Sequence, residues 1–426
     1  MKLVHKLITG IKIKVISSSL NLIEFQLSKN GRYWEFLEFF TGNSGNYVTN
    51  KDLEYFNVHK VSCKNRNNSI KSKTKETSHF KLPELAKIMS DSNLESINLK
   101  KMNILFIFDN SRENSTSEVL KNINDSANYN DINTYLLDLG KIQDKIQKPE
   151  IVSKIYKFSP TIIIFALASN LNRDPEYFLS KEFIDEIKKK TNCIVLIICF
   201  DIGRISDFLF VDYWQSVTTF FLHVDPITVK NITDVELRRK FLLWPFPAAY
   251  GNQKSIVPKQ NRIVFSGSVK EKDRRIWIRS ISMIIKEYNL KFQINIFNYH
   301  APKFRLKWSD YMDELSKSLV CLSLGQKSDS HTILPGRTFD AISVGTLVLQ
   351  QETNDDHPLS FLYTENEHYF KFNCLCEIDN YLEWISSNIY LAQQMGKKAW
   401  DFHYKNYSPD RLWKYLQFRV EASTNL

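Results

Sequence analysis

Glycine is scarce in this chain, 12 residues in 426, and none of it forms a known phosphate-binding loop. No Gly-x-x-x-x-Gly-Lys-Ser/Thr segment occurs, which argues against a P-loop nucleotide hydrolase. No Gly-x-Gly-x-x-Gly follows the first strongly apolar strand, which argues against a dinucleotide oxidoreductase. Long apolar runs are missing as well. The longest, 193–200 (CIVLIICF) and 161–168 (TIIIFALA), are strand-sized and fall far short of the ~18 residues a membrane span needs. The first residues lack the long apolar stretch and small-residue cleavage site of a secretory signal. Six cysteines, at 63, 193, 199, 321, 374 and 376, include no Cys-x-x-Cys pair. Cys193 and Cys199 lie within an apolar run, and Cys374 and Cys376 are too close for ordinary chelation by themselves. These absences predict a cytoplasmic protein with six reduced thiols.

Hydrophobic residues make up 43% and aromatics 13%, enough to bury large cores. A chain of 426 residues exceeds one ordinary core and fits two domains plus an extension. The formal net charge of +10 is uneven: residues 1–100 hold 16 Lys and Arg against 9 Asp and Glu. The excess gathers in 60–81, a polar stretch that reads either as a solvated linker or as an electrostatic contact with the inner face of a membrane or another polyanion. No aromatics interleave with these cations, so a nucleic-acid partner is not expected. The aromatic run 33–40 (YWEFLEFF) reads as core or as a docking face, with both readings open.

From residue 102 the pattern changes. Strand-like runs at 103–108, 134–139, 161–166, 193–200, 217–224 and 241–244 alternate with helical stretches at 118–124, 151–158 and 183–190. That alternation predicts a parallel sheet covered on both faces. Ligands of such sheets bind beyond the carboxyl ends of the strands, where Asp201 and Asp225 stand. His223, on an apolar strand, reads as a core residue. A second domain of the same kind starts near residue 261, with strands at 262–266, 292–297 and 319–324 and helices at 276–288 and 311–318. Its first strand ends in Gly267-Ser268, and Lys270, Lys272, Arg274 and Arg275 are expected to precede the next helix. Gly267, Gly325, Gly336 and Gly345 fall at element ends of this domain, where backbone turns tightly or approaches a ligand.

The segment 336–349 (GRTFDAISVGTLVL) reads as a short helix, a glycine stop and a buried strand, with Leu334, Phe339, Ile342 and Val344 as its apolar face. A helix opening on Pro335-Gly336-Arg337 directs free amides and a guanidinium at whatever lies above it, an arrangement suited to phosphate. Asp340, one turn on, offers a carboxylate for sugar hydroxyls. Asp355-Asp356-His357 is the one metal-like cluster and reads as turn chemistry before Pro358.

This segment resembles the donor-binding signature of two-domain GT-B glycosyltransferases, and within them the CgeB-type (spore maturation) group, in which a glutamate usually stands where this chain has Asp340. Trp244-Pro245-Phe246-Pro247-Ala248-Ala249 and Phe265-Ser266-Gly267-Ser268 are similar to that group's linker and to its second-domain strand end, and 407–421 resembles its closing helix. The resemblance spans about residues 100–420. It implies an α/β fold of two doubly wound Rossmann-like domains behind an N-terminal extension: 1–100 the basic extension, 101–250 the acceptor side, 251–406 the donor side, and 407–426 a helix crossing back to the first domain.

It further implies transfer of a sugar from a nucleotide-sugar to a glycan, lipid-linked or protein acceptor. No cofactor is implied beyond the nucleotide-sugar as substrate, and no metal, in keeping with a chain that contains no Asp-x-Asp. Gly267, Ser268, Arg274, Arg275, Gly336 and Arg337 would hold the diphosphate, Asp340 the ribose. Asp201 and His331 are the candidates for catalytic groups. Retaining members often carry a second glutamate eight residues before the Asp340 position. Thr332 stands there, which leaves the stereochemistry open and keeps an inactive binding or scaffold protein of envelope assembly as the alternative.

Overall fold

The computed structural model describes residues 23–24, 83–91, 93–108, 115–138, 148–166, 181–199, 211–224, 229, 232–245, 256–267, 272–285, 287–288, 290–296, 308–328, 331–332, 334–352 and 358–424. The chain divides into two units. One comprises residues 82–254, 356–362 and 402–426; the other comprises 255–355 and 363–401 together with β1, the two-residue strand Ile23–Glu24.

In the first unit, helix α1 (Glu84–Asp91) buries Leu85, Ala86 and Met89, and leads through two short 3-10 turns to β2 (Asn103–Phe108). There follow α2 (Ser115–Tyr129), β3 (Asn133–Asp138), α3 (Lys148–Phe158), β4 (Ile162–Ala166), α4 (Lys181–Thr191), β5 (Ile194–Ile198), β6 (Phe220–His223), α5 (Val235–Arg239) and β7 (Phe241–Leu243). The six strands run parallel in the order β3-β2-β4-β5-β6-β7. Strands β2, β4 and β5 are almost wholly buried, because continuous Ile, Leu, Val and Phe suit a sheet covered on both faces. Residues with positive φ close the helices before β3 and β5 (Asp131, Asn192), and Ser159 does so before β4.

In the second unit, the elements are β8 (Gln260–Gly267), α6 (Lys272–Ile285), β9 (Lys291–Ile296), α7 (Trp308–Lys317), β10 (Ser318–Ser323), the short antiparallel pair β11 (Gln326–Ser328) and β12 (His331–Thr332), α8 (Gly336–Ser343), β13 (Leu347–Gln351), β14 (Tyr369–Phe372), α9 (Leu375–Ser387) and α10 (Ile389–Tyr407), the last belonging to this unit as far as Asp401. Strands pair parallel in the order β1-β9-β8-β10-β13-β14. The chain leaves β8 for β9 on one side and then crosses to β10 on the other. The gap between β8 and β10 is therefore the topological switch point, and its carboxyl edge is where such sheets take ligands.

The amino edge of this sheet is closed by buried charge. Arg262 pairs with Glu314 at 2.9 Å, and Lys259 Nζ donates to the carbonyls of Ser316 (2.7 Å) and Val344 (2.8 Å) and to Thr346 Oγ1 (3.0 Å). Lys259 thus holds the carboxyl ends of α7 and α8 together. Burial pulls its ammonium down to about 7, and the three acceptors and two helix carboxyl ends oppose that pull. Gly345 adopts φ +70, and a Cβ at Gly396 of α10 would stand 2.6 Å from the Gly345 carbonyl oxygen, so both must be glycine for α10 to lie against this turn.

The last helix, α11 (Pro409–Thr424), belongs to the first unit. Its Trp413 is fully buried, meets Trp244 edge-on at 5.2 Å, and donates from Nε1 to Ser126 Oγ (3.2 Å). Trp244 in turn donates to the Leu412 carbonyl (3.0 Å).

Two expectations are corrected. Arg274 and Arg275 do not precede a helix: α6 starts at Lys272, ahead of both, so they ride in its first turn. Charged residues are ordinary in a first turn, and sequence pattern is weakest at such boundaries. Nor are all six cysteines reduced, for Cys374 and Cys376 are joined. Leu375, between them, is the first residue of α9, and its helical backbone sets the two Cα atoms 5.5 Å apart. The segments 33–40 and 60–81 and the cluster Asp355-Asp356-His357 lie outside the described residues. Among the described residues no helix is long and apolar enough to cross a membrane, and no group of three or more His, Cys, Asp or Glu could hold a metal ion.

Candidate functional site

Helix α8 is positioned from below by a chain of buried hydroxyl and amide groups. Thr338 Oγ1 donates to Gln350 Oε1 (2.8 Å) on β13 and so accepts from Ser323 Oγ (2.9 Å) at the end of β10. Thr338, Ser323 and Gln350 are all fully buried, which makes these bonds costly to break. Leu334, Ala341, Ile342 and Val344 pack beneath, whereas Phe339, expected on the same apolar face, is only half-buried. The first turn of α8 is thereby fixed at the carboxyl ends of β10 and β13. Pro335 precedes it in extended conformation, and its carbonyl accepts from the Thr338 amide (3.0 Å). The amides of Gly336 and Arg337 head the helix, where an α-helix supplies no acceptor of its own.

Arg337 leaves α8 and crosses the switch point to the end of β8. Its guanidinium carbon lies 5.2 Å from the centre of the Phe265 ring, and a Cβ on Gly267 would stand 2.7 Å from Nη2 and 3.0 Å from Cζ. A side chain at Gly267 would therefore displace the guanidinium. Arg337 Nη1 is enclosed by protein and makes no hydrogen bond. An enclosed donor without a partner is expensive, and this one belongs to a guanidinium at the carboxyl edge of the sheet, beside a helix amino end.

Asp340, one turn further along α8, receives a hydrogen bond from Tyr311 Oη on α7 (2.9 Å to Oδ2). Desolvation raises the Asp340 carboxyl to about 7, with the Tyr311 hydrogen bond and the Arg337 charge working in the opposite direction. Burial first, and then the Asp340 charge, push the Tyr311 phenol well above its ordinary value, so it stays a donor. Beneath them, burial pushes the Cys321 thiol up to about 12, which leaves a neutral floor. The assembled surface offers a cation and two amides at one point and a carboxylate one helical turn away.

Of the residues chosen from sequence, Gly267, Gly336, Arg337 and Asp340 come together here. Arg274 stands half-buried on α6. Arg275 and His331 lie on α6 and β12, with side chains outside the described residues, and so do Ser268, Asp201 and Asp225 altogether. His223 is a core residue, 3% exposed beside the Phe241 ring. Sequence reasoning missed Tyr311, Phe265, Thr338, Ser323 and Gln350. The last two carried a signal: they are polar residues at the carboxyl ends of otherwise apolar strands.

No protein-family model matches the chain, and no curated protein does. Solved structures do. The chain is similar to an alpha-glucosyltransferase in complex with UDP and a 13-mer DNA containing an HMU base, at 12% identity over 75% of this chain and 98% of that one, with a TM-score of 0.51. It is also similar to Anabaena HepE in complex with UDP and glucose (6% identity, 75% and 100% covered, TM-score 0.46) and to a glycosyltransferase from Rickettsia africae (12%, 76% and 98%, 0.47). The likeness to the first of these, together with the two parallel sheets and their strand orders, gives the fold: two Rossmann-like α/β units, as in GT-B glycosyltransferases.

Proposed function

We propose that the protein is a glycosyltransferase that takes its sugar from a nucleoside-diphosphate donor bound at the carboxyl edge of β8 and β10. One observation carries this reading: Arg337, whose Nη2 lies over Gly267 and whose enclosed Nη1 bonds nothing, stands at the switch point beside the amino end of α8. When the bond between sugar and phosphate breaks, negative charge builds on the leaving diphosphate. Two helix amides and a guanidinium that turns an N–H out to the diphosphate would stabilise that charge. Asp340 would accept from the ribose hydroxyls. The acceptor, a glycan, a lipid-linked sugar or a protein, would be met by the unit containing β2–β7, with Asp201 as the candidate base. Membership of the CgeB-type group and catalysis without a metal are part of the same proposal.

Uridine is our choice of base, since the alpha-glucosyltransferase of like fold was seen with UDP. The test is thermal unfolding with UDP, GDP and CDP and with UDP-glucose, followed by assay of UDP release. Ligand at one hundred times its dissociation constant should add about 2.7 kcal/mol of stability. Stabilisation by a diphosphate together with turnover of its sugar conjugate supports the enzyme; stabilisation without turnover supports a binding protein. Absence of both in a cooperatively folded sample contradicts the proposal.

Gly267→Ala tests the site without touching a contacting group. Its methyl would overlap Nη2 of Arg337, the free end of a long side chain that can swing aside. The variant should fold within about 1 kcal/mol of wild type. It should nevertheless bind UDP nearly as weakly as Arg337→Ala, and combining the two should add little, as expected for two changes acting on one contact. Equal UDP affinity in Gly267→Ala and wild type would contradict this placement of the guanidinium.

A further inference from the structure

Asp340 has a partner that the donor reading does not require. Tyr311 comes from a different helix, α7, and its ring is 6% exposed and packed on Trp308 at 5.1 Å between centres. Its hydroxyl donates to Oδ2 of Asp340 at 2.9 Å. We propose, resting on the donor reading above, that Tyr311 is a positioning residue of the nucleotide site: by donating to Oδ2 it fixes the rotation of the Asp340 carboxyl and turns Oδ1 to the ribose.

Among the described residues, three groups face the Asp340 carboxyl: Tyr311 on α7, Arg337 one turn back on α8, and Cys321 on β10. The thiol and the phenol stay neutral at ordinary pH, so the charge of the carboxyl is decided by its desolvation against one hydrogen bond and one guanidinium. With that balance near 7, the hydrogen bond from Tyr311 sets how much carboxylate is present at neutral pH. An ionised carboxylate accepts more strongly from ribose hydroxyls than the protonated acid does. The ribose contribution to affinity should therefore be complete above about 7 and fade as the pH falls below it.

The experiment measures the affinity of UDP and of 2′,3′-dideoxy-UDP from pH 5.5 to 9 for wild type, Tyr311→Phe, Asp340→Asn and the double variant. The ratio of the two affinities isolates the ribose hydroxyls and cancels titration of the phosphates. Phenylalanine keeps the ring that packs on Trp308, so melting temperatures check that the fold is retained. For wild type the ratio should fall through a midpoint near neutrality. In Tyr311→Phe it should be about 3–10-fold lower at pH 7, the loss of one hydrogen bond to a charged group, with a midpoint moved to higher pH and recovery toward wild type at pH 9. Asp340→Asn should give a ratio independent of pH, and adding Tyr311→Phe should change it no further. A Tyr311→Phe ratio and midpoint equal to wild type would overturn the proposal while the donor reading stands. A wild-type protein that binds UDP through Arg337 yet does not distinguish the dideoxy analogue would remove Asp340 from the ribose. Absence of UDP binding would overturn the donor reading, and this proposal with it.

Discussion

Arg337→Ala should weaken UDP binding by about 10–100-fold and leave the free protein nearly as stable as before. The affinity loss follows from removing a charge-assisted, forked hydrogen-bond donor, a contact of about 1.5–3 kcal/mol. The small effect on stability follows from the structure of the free protein. Nη1 bonds nothing, so the substitution breaks no hydrogen bond there, and what is lost is the packing of the guanidinium on Phe265. That contact is of the order of 0.5–1 kcal/mol, and the attraction between the Arg337 charge and Asp340 is lost with it. Arg337→Lys should fall between, because an ammonium keeps the charge but not the fork. Calorimetric titration of UDP and denaturant unfolding separate the two quantities. A variant that loses stability and affinity together would mean that Arg337 serves the fold.

The largest effect on stability should come from Trp413→Ala, which is expected to cost the first unit about 3–5 kcal/mol. Trp413 is fully buried, meets Trp244 edge-on, and spends its indole hydrogen on Ser126, a residue 287 positions earlier in the chain. Removing it opens a cavity between α11 and the helix carrying Ser126 and leaves a buried hydroxyl without its donor. Trp413→Phe restores most of the volume but not the hydrogen bond and should cost about 1–2 kcal/mol. Urea unfolding followed by the fluorescence of the remaining tryptophans measures both. Limited proteolysis should release α11 (Pro409–Thr424) from Trp413→Ala well before wild type. A cost under about 1 kcal/mol would show that α11 is not anchored through this residue.

The sheets were legible in the sequence because a strand buried on both faces writes itself as a continuous apolar run. NILFIF, TIIIFA and CIVLIICF each became a strand of the first unit within a residue or two of its expected ends. The placement of the α8 motif was legible for a related reason. Gly336, Arg337 and Asp340 lie within one and a half turns of a single helix, so their spacing alone fixes their common direction. What completes the site was not legible, because Tyr311, Phe265, Ser323 and Gln350 reach it from four separate elements through tertiary packing. Gly267 was chosen for close backbone approach to a ligand, and the structure puts the Arg337 side chain across it. The start of α6 and the Cys374–Cys376 pair were misread because both depend on local backbone conformation, to which hydrophobic periodicity is blind.

The most direct test of the account is a structure of the protein with UDP bound. The account places the diphosphate oxygens about 3 Å from the Arg337 guanidinium and from the amides that open α8, with a ribose hydroxyl at the same distance from Asp340. A diphosphate bound away from the carboxyl edge of β8 and β10, with Arg337 still stacked on Phe265 and Nη1 still unbonded, would contradict it.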